Sequence, residues 1–247
     1  MRIAVIADIH GNLRALEAVR ADLARRAPDA VVNLGDHLSG PLQAAATADL
    51  LMSQSYINIP GNHDRQLLDR PRTEMGPSDR AAHAQLTTSH LEWLASLPPT
   101  RILEDRIFLC HGSPRGDLEY LLEDVKGDRV YLSSTDQIRP RLNGVDASLV
   151  LCGHTHIPRA VQLPGGAWIV NPGSVGLPAY DDTTPHLHYV EVGSPHARYA
   201  IVDWSPTAVN VEFIALDYDW HSAAREAREA NRPDWACALS TGYALRC

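Results

Sequence analysis

No stretch of about 18 consecutive apolar residues occurs in the 247-residue chain, so no segment reads as a membrane-spanning helix. The first residues, Met1-Arg2-Ile3-Ala4-Val5-Ile6, run straight into Asp8 without the small-residue cleavage site of a secretory leader. Basic charge is also scarce: Lys126 is the only lysine, the net charge is −8, and the sequence pI is near 5.8. That balance argues against a broad nucleic-acid or anionic-membrane surface, although one locally positive site could still hold a short nucleotide. The 4 cysteines, Cys110, Cys152, Cys237 and Cys247, are scattered and form no CxxC pair. Buried thiols in a reducing compartment are therefore expected, and the cytoplasm is the expected location.

Apolar residues make up 45% of the chain, enough for a substantial core, and the length suits a single α/β domain. Residues 2–7 read as a buried strand, followed by an amphipathic helix over about 12–26 with Leu13, Leu16, Val19 and Leu23 on one stripe. Strands at 30–34 and 56–59, with a helix around 41–53 between them, predict right-handed crossovers and a parallel sheet. A Pro/Gly/charge-rich stretch, 70–77, precedes a helix over 79–96, and together 70–100 reads as a small cap-like segment. Strands follow at 101–103, 106–110 and 148–151, with a helix near 134–142 before the last. From 159 to 214 alternating β segments predict an antiparallel sheet face. A helical tail over 219–247 ends the chain, and no internal repeat is present.

Five of these strand ends carry metal-ligand chemistry. They are Asp8-Ile9-His10, Gly35-Asp36, Gly61-Asn62-His63-Asp64, His111-Gly112 and Gly153-His154-Thr155-His156. In open α/β sheets, ligands bind beyond the carboxyl ends of the strands, so these loops can converge on one crevice. Asp8/His10 and His154/His156 are each spaced by two, which in an extended segment puts both side chains on one face. Taken singly, Asp-x-His or Gly-Asp is ordinary turn chemistry. All of them in this order, each after an apolar strand, are a metal centre in waiting.

The ordered set resembles the calcineurin-like metallophosphoesterase superfamily. His111-Gly112-Ser113-Pro114 and Asn171-Pro172-Gly173-Ser174-Val175-Gly176 are similar to its small bacterial phosphodiesterase/phosphatase branch. The resemblance implies a mixed α/β fold: a two-sheet β-sandwich flanked by helices in four layers. It implies that Asp8, His10 and His156 bind one metal, that Asn62, His111 and His154 bind another, and that Asp36 bridges them. His63 is then the general acid, and Asn62 also touches substrate. The implied reaction is hydrolysis of a phosphodiester or phosphomonoester by a hydroxide between two divalent ions.

A nitrogen–oxygen ligand set without thiolate suits Mn²⁺, Fe²⁺, Co²⁺, Ni²⁺ or Zn²⁺ better than Mg²⁺ or Ca²⁺, and Mn²⁺ is the expected ion. Arg115 is a candidate clamp for a substrate phosphate, with a surface ion pair as the alternative. Asp64 is expected to orient His63 or close the turn, Asn12 to approach the site or cap the next helix, and His37 to stand outside the ligand set. Asn171-Pro172-Gly173-Ser174 is expected to hold the metal loops, and Cys110 and Cys152 to be buried small hydrophobes. The remaining readings are a fold-preserving binding module that has lost its chemistry, as in one retromer subunit, and a DNA-repair-type nuclease. An intact ligand set opposes the first and the acidic balance opposes the second.

Overall fold

The computed structural model describes residues 1–246. Strand β1 (Arg2–Ile6) leads through helix α1 (Leu13–Arg26) to β2 (Ala30–Asn33), α2 (Ala44–Met52), β3 (Ile57–Asn58) and α3 (Asn62–Asp69). Then come α4 (Pro77–His83), α5 (Thr88–Ala95), β4 (Arg101–Leu103), β5 (Ile107–Leu109), β6 (Glu123–Lys126), β7 (Arg129–Leu132) and α6 (Thr135–Arg141). The chain continues with β8 (Leu149–Leu151), β9 (Arg159–Gln162), β10 (Trp168–Asn171), β11 (Ala179–Asp182), β12 (His188–Glu191), β13 (Ala197–Ser205) and β14 (Ala208–Leu216). Helices α7 (Trp220–Glu229) and α8 (Pro233–Thr241) close the described residues.

Two 5-stranded sheets, in the orders β14-β13-β1-β2-β3 and β4-β5-β8-β10-β9, pack against each other. Ile3, Val5, Val32 and Val202 of the first meet Ile107, Leu109, Leu149 and Leu151 of the second in one buried cluster. Alternate residues of β1 turn the other way: Ala4 and Ile6 join Leu16, Val19 and Leu23 of α1 and Ala48 and Leu51 of α2. Both faces of β1 are thus buried, which is why its sequence is a continuous apolar run. On the far side, Val150 and Ile169 pack with Ile138 of α6, completing the helix–sheet–sheet–helix order that the resemblance implies.

A third sheet, of 4 strands in the order β11-β12-β7-β6, was not among the sequence expectations. Its β6–β7 hairpin turns at Gly127 (φ 63°) and is short and half-exposed, so it lacks a clean alternating pattern. Over 159–214 the pairing is antiparallel within β9–β10, β11–β12 and β13–β14, yet β10 lies parallel to β8. The single helix expected over 79–96 is two. Thr87 starts a new helix by accepting the His90 N–H, while the His90 ring accepts the Thr87 N–H.

The arrangement decides where chemistry can occur. β1, β2 and β3 are mutually parallel, as are β5, β8 and β10, so two sets of carboxyl ends open at one edge of the sandwich. Helices α7 and α8 pack on each other and against α1 and β11, which carries the C-terminal tail to that same edge.

Candidate metal centre

The loops after β1, β2, β5 and β8 bring together two groups of buried side chains: Asp8, His10 and His156, and Asp36, His111 and His154. Within each group the possible ligand atoms lie within 4.8 Å of one another. Asn62 joins the second group, its Oδ1 lying 3.1 Å from His111 Nε2. Asp36 Oδ2 stands 3.4 Å from His111 Nε2 and 3.8 Å from His10 Nε2, between the two groups. Its other oxygen accepts the His63 N–H at 2.9 Å.

Proton positions follow from the backbone. The Nδ1 atoms of His10, His111 and His156 face the carbonyls of Ser39, Leu34 and Leu177 at 2.9, 2.8 and 2.6 Å. A carbonyl only accepts, so each Nδ1 donates, and the neutral rings of His10 and His156 turn a lone pair inward from Nε2. His10 Nε2 and His156 Nε2 are then only 3.2 Å apart with no proton between them. His154 Nε2 is buried without a hydrogen-bond partner. This donor set fits cations, and an ion in each group would satisfy the inward lone pairs.

Electrostatics agree. Burial lowers His10 to about 4 and His154 to about 3, and holds His156 well below the ordinary imidazole range, so these rings are neutral ligands near pH 7. For His111 burial is outweighed by the adjacent Asp36, which raises it to about 10. Burial pushes the Asp8 carboxyl well up, whereas the imidazoles around Asp36 overcome burial and keep that carboxyl well below its usual range.

The local backbone differs from the extended segments expected at Asp8–His10 and His154–His156. Asp8, His10, Asp36, His154 and His156 all have positive φ, from 52° to 70°. The ligand pairs converge because the chain coils left-handedly at each ligand, a conformation that costs about 1–3 kcal/mol per non-glycine residue. Surrounding hydrogen bonds impose it. Asn171 donates to Gly153 O and Thr155 Oγ1, while Ser174 Oγ and the Gly176 N–H both reach Asp8 O. Gly61 is required for space, since a Cβ there meets Asp36 Oδ1 at 2.2 Å.

A sequence profile of the calcineurin-like phosphoesterase superfamily domain matches residues 1–193. The chain belongs to this superfamily. The crystal structure of a metallophosphoesterase from Sphaerobacter thermophilus is similar at 28% identity and TM-score 0.75, over 98% of this chain and 99% of that one. An uncharacterized protein of Methanocaldococcus jannaschii is 26% identical over 94% of each chain. A hypothetical protein from Pyrococcus horikoshii shares the fold at 19% identity and TM-score 0.72, over 99% of each.

In this calcineurin-like phosphoesterase the two groups open into a cavity of about 470 Å³ that His63 also lines. His63 Nδ1 pairs with Asp79 Oδ1 at 2.7 Å, and Ser39 Oγ donates to the same oxygen at 2.6 Å. Burial pulls His63 down, but Asp36 and the Asp79 hydrogen bond outweigh it and raise the ring to about 9. Asp79 is the partner that the sequence reading missed. It looks like any acidic residue in the first turn of a helix, and only the placement of α4 reveals its role.

Asp64 does not touch His63; it accepts from the Gly61 N–H and from the His37 ring, closing the turn and keeping His37 outside the ligand groups. Asn12 caps α1 by accepting from Ala15 and also donates to Gly176 O. Arg115 lies outside the cavity, half-exposed and paired with Glu119 at 3.3 Å, so the surface ion pair is the arrangement observed. Two other arginines, Arg70 and Arg232, line the cavity instead. Trp235, from the tail, packs its ring 5.9 Å from that of His10. Cys110 and Cys152 are buried in one apolar cluster, Cys237 is only half-buried on α8, and Cys247 lies outside the described residues. None of the described helices is long and apolar enough to cross a membrane.

Proposed function

We propose that this chain hydrolyses small phosphate esters at a pair of divalent cations, with phosphodiesters favoured and phosphomonoesters also accepted. One observation carries the reading: inward lone pairs of His10 and His156 at 3.2 Å, with Asp36 Oδ2 between them and His111. In this reading Asp8, His10 and His156 hold one cation, Asn62, His111 and His154 the other, and Asp36 is shared. Bound cations supply the Lewis acidity that activates water and offsets charge on the phosphoryl oxygens. The ligand types suit Mn²⁺ first, then Fe, Zn, Ni or Co.

The protein's own groups do the rest. Neutral Asn62 and the neutral imidazoles of His10, His154 and His156 leave the site with excess positive charge for a phosphate anion. His63 is committed to Asp79 through Nδ1, so Nε2 is the nitrogen left to hold a proton for the departing oxygen. The Asp79–His63 and Trp235–His10 contacts support reading the chain as one domain whose cap-like segment and tail serve the same site. The unpaired, buried thiols of Cys110 and Cys152 support a reducing, cytoplasmic setting.

The test is hydrolysis of bis-p-nitrophenyl phosphate and p-nitrophenyl phosphate by EDTA-stripped protein with and without added Mn²⁺. Turnover restored by the metal and abolished by Asp36→Asn is the expected result, and the preferred ester assigns the substrate class. Turnover that survives EDTA, or that Asp36→Asn leaves intact, overturns the proposal.

A further inference from the structure

Asn62 and Gln66 are four residues apart on one face of α3, and Arg70 follows as its C-cap in extended backbone. All three line the cavity beside the metal groups. Asn62 belongs to the second ligand group, and Arg70 is exposed at the far end with no ion pair among the described residues. Gln66 sits between them with only 6% of its surface exposed. Its backbone carbonyl accepts from Arg70, while its carboxamide makes no hydrogen bond to a described residue and is open to the cavity rather than sealed from it.

An amide with no protein partner that faces a cavity is free to hydrogen-bond whatever the cavity takes in. Here the neighbouring side chains are already committed: Arg65 grips Asp117 through two bonds, and Asp64 holds Gly61 and His37. The one open direction is the cavity. Gln66 follows His63 by three residues, so it is about one helical turn from the imidazole that faces the leaving group.

We infer that Gln66 is a specificity-determining residue that hydrogen-bonds the esterified alcohol on its leaving-group side, and that this alcohol carries hydroxyl groups. A carboxamide offers two N–H donors and a carbonyl acceptor together, which matches hydroxyls that both donate and accept. The aromatic rings nearby do not offer a free face to a flat base. Trp235 is 5% exposed, and Tyr180 is packed edge-on to His156 at 4.7 Å with its hydroxyl on His154 O. A polyol or sugar ester therefore fits this wall better than an aryl or purely alkyl one. The inference rests on the proposed phosphoesterase activity.

The test uses full-length Mn²⁺-loaded protein and two ester pairs: glycerol 2-phosphate against p-nitrophenyl phosphate, and diglyceryl phosphate against bis-p-nitrophenyl phosphate. Gln66→Met keeps length and shape while removing both hydrogen-bonding functions. It is expected to lower kcat/KM for the glyceryl ester by about tenfold or more and for the nitrophenyl ester by less than about twofold. Because the amide has no protein hydrogen bond to lose, Gln66→Met is also expected to leave the melting temperature nearly unchanged. Gln66→Asn, which withdraws the amide by one methylene, is expected to raise KM for the glyceryl ester alone. Equal slowing of both esters, a wild type that turns over only nitrophenyl esters, or a lower melting temperature for Gln66→Met overturns the Gln66 assignment. A wild type inactive on all four esters overturns the phosphoesterase reading itself.

Discussion

His10 and His156 face each other through Nε2 atoms 3.2 Å apart, and neither nitrogen has a hydrogen to share because both Nδ1 atoms donate to carbonyls. Without a cation, two lone pairs are pressed together in a buried place. Filling the site should therefore stabilise the fold measurably.

The first prediction is thermal. Mn²⁺ at about 100 times its dissociation constant should stabilise the protein by about 2.7 kcal/mol per independent site. Differential scanning calorimetry of EDTA-treated and reloaded samples checks this. His156→Ala should bind one equivalent fewer by metal analysis, and an unchanged stoichiometry counts against the two-group assignment.

The second concerns the proton donor. His63→Gln should slow alkyl phosphate esters by roughly 10²–10⁴ and nitrophenyl esters much less, because nitrophenolate leaves without help. Asp79→Asn should shift the same ratio in the same direction by a smaller factor, since it loosens the ring without removing it. Comparing kcat on both esters is the measurement, and identical losses would remove His63 from the acid role.

The third is a pH effect away from the site. Burial alone would raise the Asp22 carboxyl, but hydrogen bonds from Tyr199, Arg26 and Arg25 reverse that and leave it below its ordinary value. A carboxyl lowered on folding contributes stability above its unfolded pKa, about 3.9, and loses it as pH falls through the lower folded value. Asp22→Asn should cost about 1–3 kcal/mol at pH 7 and progressively less below pH 4. Urea midpoints of both proteins at pH 7 and pH 3 decide; a gap that widens in acid contradicts the sign.

A fourth prediction separates space from chemistry. Gly61→Ala places a Cβ 2.2 Å from Asp36 Oδ1 and 2.5 Å from Asp36 N, so Asp36 must move. Metal content and activity should both collapse while the far-ultraviolet circular dichroism, set by sheets distant from this turn, stays native. Retention of full metal occupancy would show that the turn gives way more easily than its packing implies.

The loops of the two candidate metal groups were legible because each compresses a strand end, a turn and a ligand-type side chain into a few adjacent residues. Asp8, His10, Asp36, Asn62, His111, His154 and His156 could be named from that spacing together with the family resemblance. The left-handed backbone at Asp8, His10, Asp36, His154 and His156 could not, because Asn171, Ser174 and Gly176, which hold the turns at Asp8 and at Gly153–Thr155, lie elsewhere in the chain. Asp79 and Trp235 escaped notice for the same reason: each meets a site histidine only after α4 and α8 are folded into place. The β6–β7 hairpin left no period-two pattern because little of it is buried.

The superfamily match ends at residue 193, yet Arg232 and Trp235 reach the cavity from beyond it, with Arg232 donating to Ser78 beside the residue that steadies His63. The two candidate metal groups and one wall of the cavity beside them thus come from different stretches of the chain. A change at Arg232 would therefore reshape a wall of the cavity while leaving both buried groups of Asp and His side chains untouched.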